Sequence, residues 1–400
     1  MLFWKNKLLW ISSIFIIIVS CSNDIKKATT FLTCNSITIN DFKNGIDLIV
    51  AENDWQEIEN FRDSALAQKK IGNDQKKYFN AKLKTDSCSN KIIFRLKGDH
   101  TDHLWGKKWS FRLKTKNNIL NGVNKISIQS PHTRNYMLEW YFHQLMKREG
   151  IIALDYFFFP LSINGNINKG IYAFEGHFTD ELLLKNNRPI GPILKFSEEN
   201  VFNKEFLKNA KNRDYQLLLN ADIEICNLDS SEEFLLLVNE ATHKLKLLIN
   251  NKINPSEVLD VGKWGIYIGC MDIFSSAHHL RWHNLRYYYN PDSKKFEPIA
   301  FDLSSSMKNY QFLYTKRYKD ELTKILLNDS LINHNTLFYM KKLTQGKYLE
   351  SFFDEVQNLS NLEYQILKID YKDYQDPKNK ILSYRDSLKI DISENLQLDF

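Results

Sequence analysis

No two of the five cysteines in this 400-residue chain stand in a CxxC pair, so the usual spacing of a zinc ribbon or finger is missing. No HExxH segment occurs either, which removes the common zinc-hydrolase pattern. The chain has neither a GxSxG elbow nor a GxxxxGK(S/T) loop, which argues against a lipase and against a P-loop enzyme. Charge of one sign is not in large excess: 54 Lys and Arg stand against 48 Asp and Glu, a mild +6. Spread along the chain, that balance does not point to a nucleic-acid partner. No internal repeat is visible. The apolar run Leu8 to Val19 is about a dozen residues, too short and too early for an ordinary spanning helix.

What is present is an ordinary globular composition, 43% apolar and 26% charged, with aromatics at 13% on the high side. Lys5 and Lys7 precede the apolar run, which ends in Ile18-Val19-Ser20-Cys21. Small and branched residues directly before a cysteine resemble a bacterial lipobox. By that resemblance a signal peptidase would cut before Cys21, whose thiol would carry diacylglycerol. Export would place Cys34, Cys88, Cys226 and Cys270 where disulfides persist. Cys34 with Cys88 is one possible pair.

Along the chain, strand-like stretches come first. Lys91 to Lys97 (KIIFRLK) reads as a strand. Lys107 to Lys116 alternates Trp109, Phe111 and Leu113 with Lys108, Arg112 and Lys114. Period two gives that strand one core face and one cationic face. Thr133 is a plausible N-cap and Gly150 a plausible C′ residue for a helix within 131–150. Ala153 to Ile163 and Gly170 to Phe178 read as two strands joined at Asn164-Gly165. Residues 198–251 and 259–277 read as mostly helical, as does most of 318–400. Strands followed by a helical second half argue for an α+β fold with two lobes.

One stretch carries more chemistry than the rest. His278, His279 and His283, which suggest metal or acid–base work, and Asn284 precede an aromatic run. An Asn290-Pro291-Asp292-Ser293 turn and a second β-like run follow, ending at Asp302. A hairpin here would bring Asn284 and Asp302 together at its open ends. An amide and a carboxylate side by side are hard oxygen ligands suited to Mg²⁺ that also holds phosphate. Arg95, Lys97, Lys107, Lys108, Arg112 and Lys114 lie on two neighbouring strands and would form a polyanion site if they share a face. Glu175 could order one of these lysines or a metal.

Four segments resemble the CotH spore-coat kinase family, in particular its lipoprotein branch in Bacteroidetes-type bacteria. They are GDHTDHLWGKKWSFRLK (98–114), SIQSPHTRNYMLEWYFHQLMKREGI (127–151), NKGIYAFEGHF (168–178) and HHLRWHNLRYYYNP…EPIAFD (278–302), in that order. The likeness covers about 90 to 305, just over half the chain. It implies an atypical, two-lobed protein-kinase-like fold with a helical C-terminal extension. It also implies phosphoryl transfer from ATP to a protein Ser or Thr with Mg²⁺ or Mn²⁺.

The implied layout is a signal peptide (1–20), a tether (21–35), an N-terminal α+β segment (36–90), a kinase-like domain (91–315) and the helical extension (316–400). The implied partners are a membrane, through the anchor, and a protein substrate. The implied place is the cell envelope, at the outer membrane or cell surface. By matching position, Lys97, Lys108 and Arg112 would take phosphate, Arg134 and Glu175 would support them, and Asn284 with Asp302 would hold metal. The spacing of the usual catalytic Asp falls instead on His279, which would serve as acid–base group. Gly176 stands where relatives usually have a carboxylate. The alternative is an envelope lipoprotein that binds or scaffolds without catalysing.

Overall fold

The computed structural model describes residues 32–69, 71–72, 76–98, 101–165, 167–198, 213–227, 229–305, 307–316 and 321–396. The expected signal peptide, Cys21 and most of the tether lie outside the described residues. Among the described residues, no helix is long and apolar enough to cross a membrane.

The first half is built around strands β1 (Ile46–Val50), β2 (Phe79–Lys84), β3 (Ser89–Leu96), β4 (Phe111–Lys114) and β5 (Lys125–Gln129). After the short β6 (Ile152–Ala153) come β7 (Tyr156–Ile163) and β8 (Ile167–Glu175). Seven of these close in the order β1-β2-β3-β4-β5-β8-β7. Alternation fills the interior: Leu83, Phe94, Phe111, Leu113, Phe159 and Tyr172 point inward and are fully buried. Helix α1 (Ile39–Asn44), opened by a capping box between Thr38 and Asp41, places Phe42 edge-on against Phe157, Phe159 and Phe174. Helix α2 (Glu52–Gln68) covers another side, with Trp55 stacked on Trp109. Cys34 and Cys88 form a disulfide, while Cys226 and Cys270 are free.

A second sheet adds β9 (Ile193–Phe196), β10 (Ile223–Ile225), β11 (Tyr287–Tyr289) and β12 (Phe296–Ala300), in the order β10-β9-β11-β12-β6. The β11–β12 hairpin and its Asn-Pro-Asp-Ser turn form as the sequence predicts. Helix α3 (Met137–Arg148) runs between barrel and sheet, burying Leu138, Tyr141, Phe142 and Leu145. It starts later than the sequence suggests. Residues 131–134 form a 3-10 turn, and Asn135 and Tyr136 at φ 53° and 57° break it from α3. Thr133 therefore bonds Ser130 O rather than capping a helix. Gly150, at φ 71°, ends the segment as expected.

The expected two-lobed, protein-kinase-like fold with a C-terminal extension is not the architecture observed, although the α+β class stands. β1 pairs in parallel with β7, Ile46 opposite Leu161, so the first sheet has no open edge and closes into a barrel. The expected separate segment 36–90 supplies the first staves of that barrel. The C-terminal helices are no appendage either. Leu326, Met340, Phe352, Leu367 and Leu388 lie in the same core as Phe142 and Trp264. The helices Val261–Gly269 and Ser330–Thr344 approach so closely that a Cβ on Gly265 would lie 2.7 Å from the Asn335 backbone carbon. Glu363 then ties this half to the barrel, accepting Phe158 N at 2.9 Å and pairing with Lys43 at 2.7 Å.

Candidate functional site

The outer wall of the barrel forms one side of a cleft of about 810 Å³. Register decides which side chains face it. Arg95 stands opposite Arg112, Arg112 opposite Ser127, and Ser127 opposite Glu175, a row across four antiparallel strands. Directly opposite residues share a face. The cationic strand faces predicted from alternation therefore do lie side by side. The opposite wall comes from the second sheet and the residues flanking its hairpin: Lys195, Glu224, His278, His283, Asn284, Arg286 and Asp302.

At one end of the cleft a chain of charges crosses from wall to wall. Lys97 Nζ donates to Gln129 Oε1 and to Glu175 Oε1, both at 2.5 Å. Glu175 Oε2 accepts from Gln129 Nε2 at 2.8 Å and from Arg134 Nε at 3.2 Å. Arg134 Nη1 lies 3.0 Å from Asp302 Oδ1, an ion pair without hydrogen-bond alignment. His278 Nε2 lies 3.6 Å from Asp302 Oδ2. Burial works against the charge on Lys97, lowering its pKa to about 8 despite Glu175. Burial alone would raise Glu175, but Lys97 and Arg134 outweigh it and hold the carboxyl far below its usual range. Asp302 is held low in the same way by Arg134 and His278.

Asp302 is aimed by its backbone. It sits just past β12 at φ 55°, in the left-handed region that non-glycine residues seldom occupy. Ser304 and Met307, at 40° and 42°, continue the same strained turn. Glu139 of α3, fully buried, accepts the amides of Asp302 at 3.1 Å and Leu303 at 3.0 Å. Asn284 is held by Nδ2 donating to His278 O at 2.9 Å; among the described residues nothing donates to its Oδ1. Asn284 and Asp302 thus both line the cleft, as a metal pair requires. Among the described residues no three His, Cys, Asp or Glu side chains gather into a metal centre. Two protein oxygens fit a cation that takes its remaining ligands from phosphate and water, and do not fit an all-protein cage.

Of the residues singled out from the sequence, Arg95, Lys97, Arg112, Arg134, Glu175, His278, His283, Asn284 and Asp302 line this cleft. Lys107, Lys108, Lys114 and His279 do not. His279 is fully buried behind it, among Phe142 and Tyr267, with Nε2 at 3.2 Å from Tyr267 O. Burial lowers its pKa to about 4, so it stays neutral. Its neighbour His278 is the imidazole beside Asp302. Lys108 lies outside the cleft, bonded to Asp370 and to Ile171 O at 3.0 Å, under the Tyr371 ring. Gly176 also lines the cleft, but a Cβ there would meet Asp155 and Leu154, and Glu175, one position earlier, is the carboxylate that joins Lys97 and Arg134.

Glu139, Gln129, Lys125 and Arg286 were not singled out. Three had a signal: Lys125 and Gln129 alternate with Ile126 and Ile128 along β5, and Glu139 is a carboxylate within an apolar helix.

No protein-family model matches the chain, and no curated protein matches it.

Proposed function

We propose that this cleft transfers a phosphoryl group from ATP to a protein Ser or Thr, with Mg²⁺ or Mn²⁺. The observation that carries the reading is the Lys97–Glu175–Arg134–Asp302 chain, with Asn284 beside it. Phosphoryl transfer asks a protein mainly for fixed cations and positioning. Lys97 and Arg134 bind phosphate oxygens, and Glu175 holds both cations in place before the nucleotide arrives. Asn284 and Asp302 hold the divalent ion, which neutralises charge on the phosphates. Glu139 keeps Asp302 in its strained backbone state. His278, at 42% exposure, accepts the acceptor's hydroxyl proton.

The test is incorporation from γ-labelled ATP with Mg²⁺ or Mn²⁺, comparing wild type with Asp302→Asn. Loss in the variant supports the assignment; equal incorporation overturns it.

A second reading, binding without transfer, draws on Asp302 being engaged by Arg134 and on the neutral core position of His279. Saturable, metal-dependent nucleotide binding by calorimetry with no incorporation would favour it. The proposal also places the chain at the cell envelope, anchored through lipid on Cys21. Cys21→Ser should then move it from the membrane fraction to the soluble one.

A further inference from the structure

The charge chain occupies only one end of the cleft. Along β5 the residues on the cleft-side face are Gln129, Ser127 and Lys125. Successive same-face positions are roughly 6.6 Å apart, so Lys125 lies about 13 Å along the strand from the Gln129–Lys97 contact. A phosphate held by Lys97 and Arg134 does not reach it.

Around Lys125 the cleft is cationic on both walls. Arg112 shares its face of the barrel, and Lys114 is its direct partner on β4. Across the cleft, the register of β11 with β9 and of β9 with β10 sets Arg286, Lys195 and Glu224 in a row. Glu224 is committed to Lys195 at 2.9 Å. Lys125 and Arg286 have no carboxylate partner among the described residues. Arg286 is 6% exposed, wedged between the Phe178 and Phe301 rings at 5.0 and 4.9 Å; its Nη1 bonds only carbonyls and its buried Nε bonds nothing. A buried cation with unspent donors and like charges around it is costly unless an anion arrives.

We propose that this end of the cleft is a second anion subsite that takes an acidic side chain of the polypeptide acceptor, with Lys125 and Arg286 as its main contacts. The inference rests on the proposed reaction for the word acceptor, and on the two-walled cationic arrangement for the site. An extended peptide repeats same-side residues at the same step of roughly 6.6 Å. A Ser or Thr presented to Asp302 would therefore set its second or fourth neighbour against Lys125.

The charge on Lys125 gives the site a pH signature. Burial and then Arg112 and Lys114 lower its pKa to about 7. An anion would restore the proton, so binding is strongest below pH 7 and weakens above it. The charged groups facing Lys125 are Arg95, Arg112, Lys114, Lys195, Arg286 and Glu224, the last held below its ordinary range, against its burial, by Lys195 and Ser197. Burial and then Arg112 hold His177 well below its ordinary value, and burial raises Cys226, so neither titrates between pH 6 and 8.

The experiment measures anisotropy of a labelled Ser peptide with Asp at the second and fourth positions, against its Asn counterpart. The acidic peptide should bind at least tenfold more tightly, and Lys125→Gln should remove that preference. Lys125→Arg should keep it and abolish its decline from pH 6 to 8. Equal binding of the two peptides, or a preference untouched in Lys125→Gln, overturns the subsite. Inorganic tripolyphosphate binding where the acidic peptide does not would also overturn it. Acidic-peptide preference retained in Asp302→Asn, with no incorporation in wild type, would leave the subsite standing and remove the reaction.

Discussion

The backbone amide of Asp302 donates to Oε1 of Glu139 at 3.1 Å, across 163 residues of sequence. One buried carboxylate on α3 thereby aims the acid of the cleft. Glu139→Ala would leave the amides of Asp302 and Leu303 without their acceptor. Each buried unsatisfied group costs about 1–3 kcal/mol, so a loss of roughly 2–5 kcal/mol is expected in denaturant unfolding. Glu139→Gln keeps one acceptor oxygen and should lose less than half of that. In both variants phosphoryl incorporation should fall more than tenfold; full activity at wild-type stability would mean that another group holds the turn.

Lys97 and Glu175 should separate stability from chemistry. Lys97→Met leaves Glu175 buried with Arg134 and Gln129 alone. Breaking one side of such a pair costs about 3–5 kcal/mol. Removing both charges in Lys97→Met/Glu175→Gln should recover most of that stability while incorporation stays at background. A double variant as active as wild type would remove Lys97 from the phosphate site.

His279 predicts how the fold responds to acid. Its pKa is about 4 when folded and near 6.5 when exposed. The unfolded chain therefore binds the extra proton between those values, and stability falls as pH drops from 6.5 to 4, then levels. The span corresponds to about 3 kcal/mol. His279→Phe keeps the packing against Phe142 and Tyr267 and should flatten that part of the unfolding-versus-pH curve. An unchanged slope would assign the acid sensitivity to His283, whose pKa burial also lowers to about 4.

The disulfide is testable apart from the cleft. Cys34 and Cys88 enclose a separation of 54 residues. On chain-entropy grounds the bridge contributes about 4 kcal/mol. Cys34→Ala/Cys88→Ala should lose that amount, and dithiothreitol should bring wild type to the same unfolding midpoint. No effect of the reductant would mean that the bridge is absent in solution.

Legibility followed local order. Period two along β4 was enough to give Arg112 a cationic face, because alternation is decided within a few residues, whereas the meeting of Lys97 and Glu175 on the same wall depends on strand pairing. The hairpin ends Asn284 and Asp302 were readable for the same reason. Closure of the barrel was not. It depends on Ile46 pairing with Leu161, a contact that no local pattern announces. The difference between His278 and His279 was equally hidden, since a single 3-10 turn points one imidazole to the cleft and the next into the core.

Lys108 is where the pattern was most persuasive and the geometry answers otherwise. It sits in KKWSFRLK beside Arg112, yet its ammonium joins Asp370 and Ile171 O and lies 4.9 Å from the Tyr371 ring. Its work is to fasten the turn after the helix Gln357–Lys368 to β8. A partly exposed pair of this kind contributes about 1 kcal/mol. Lys108→Met should therefore leave nucleotide affinity and incorporation within twofold of wild type. Tryptic cleavage near Lys372 should become several-fold faster. A tenfold loss of nucleotide affinity without faster cleavage would instead put Lys108 on the phosphates, and the strap on Asp370 would be incidental.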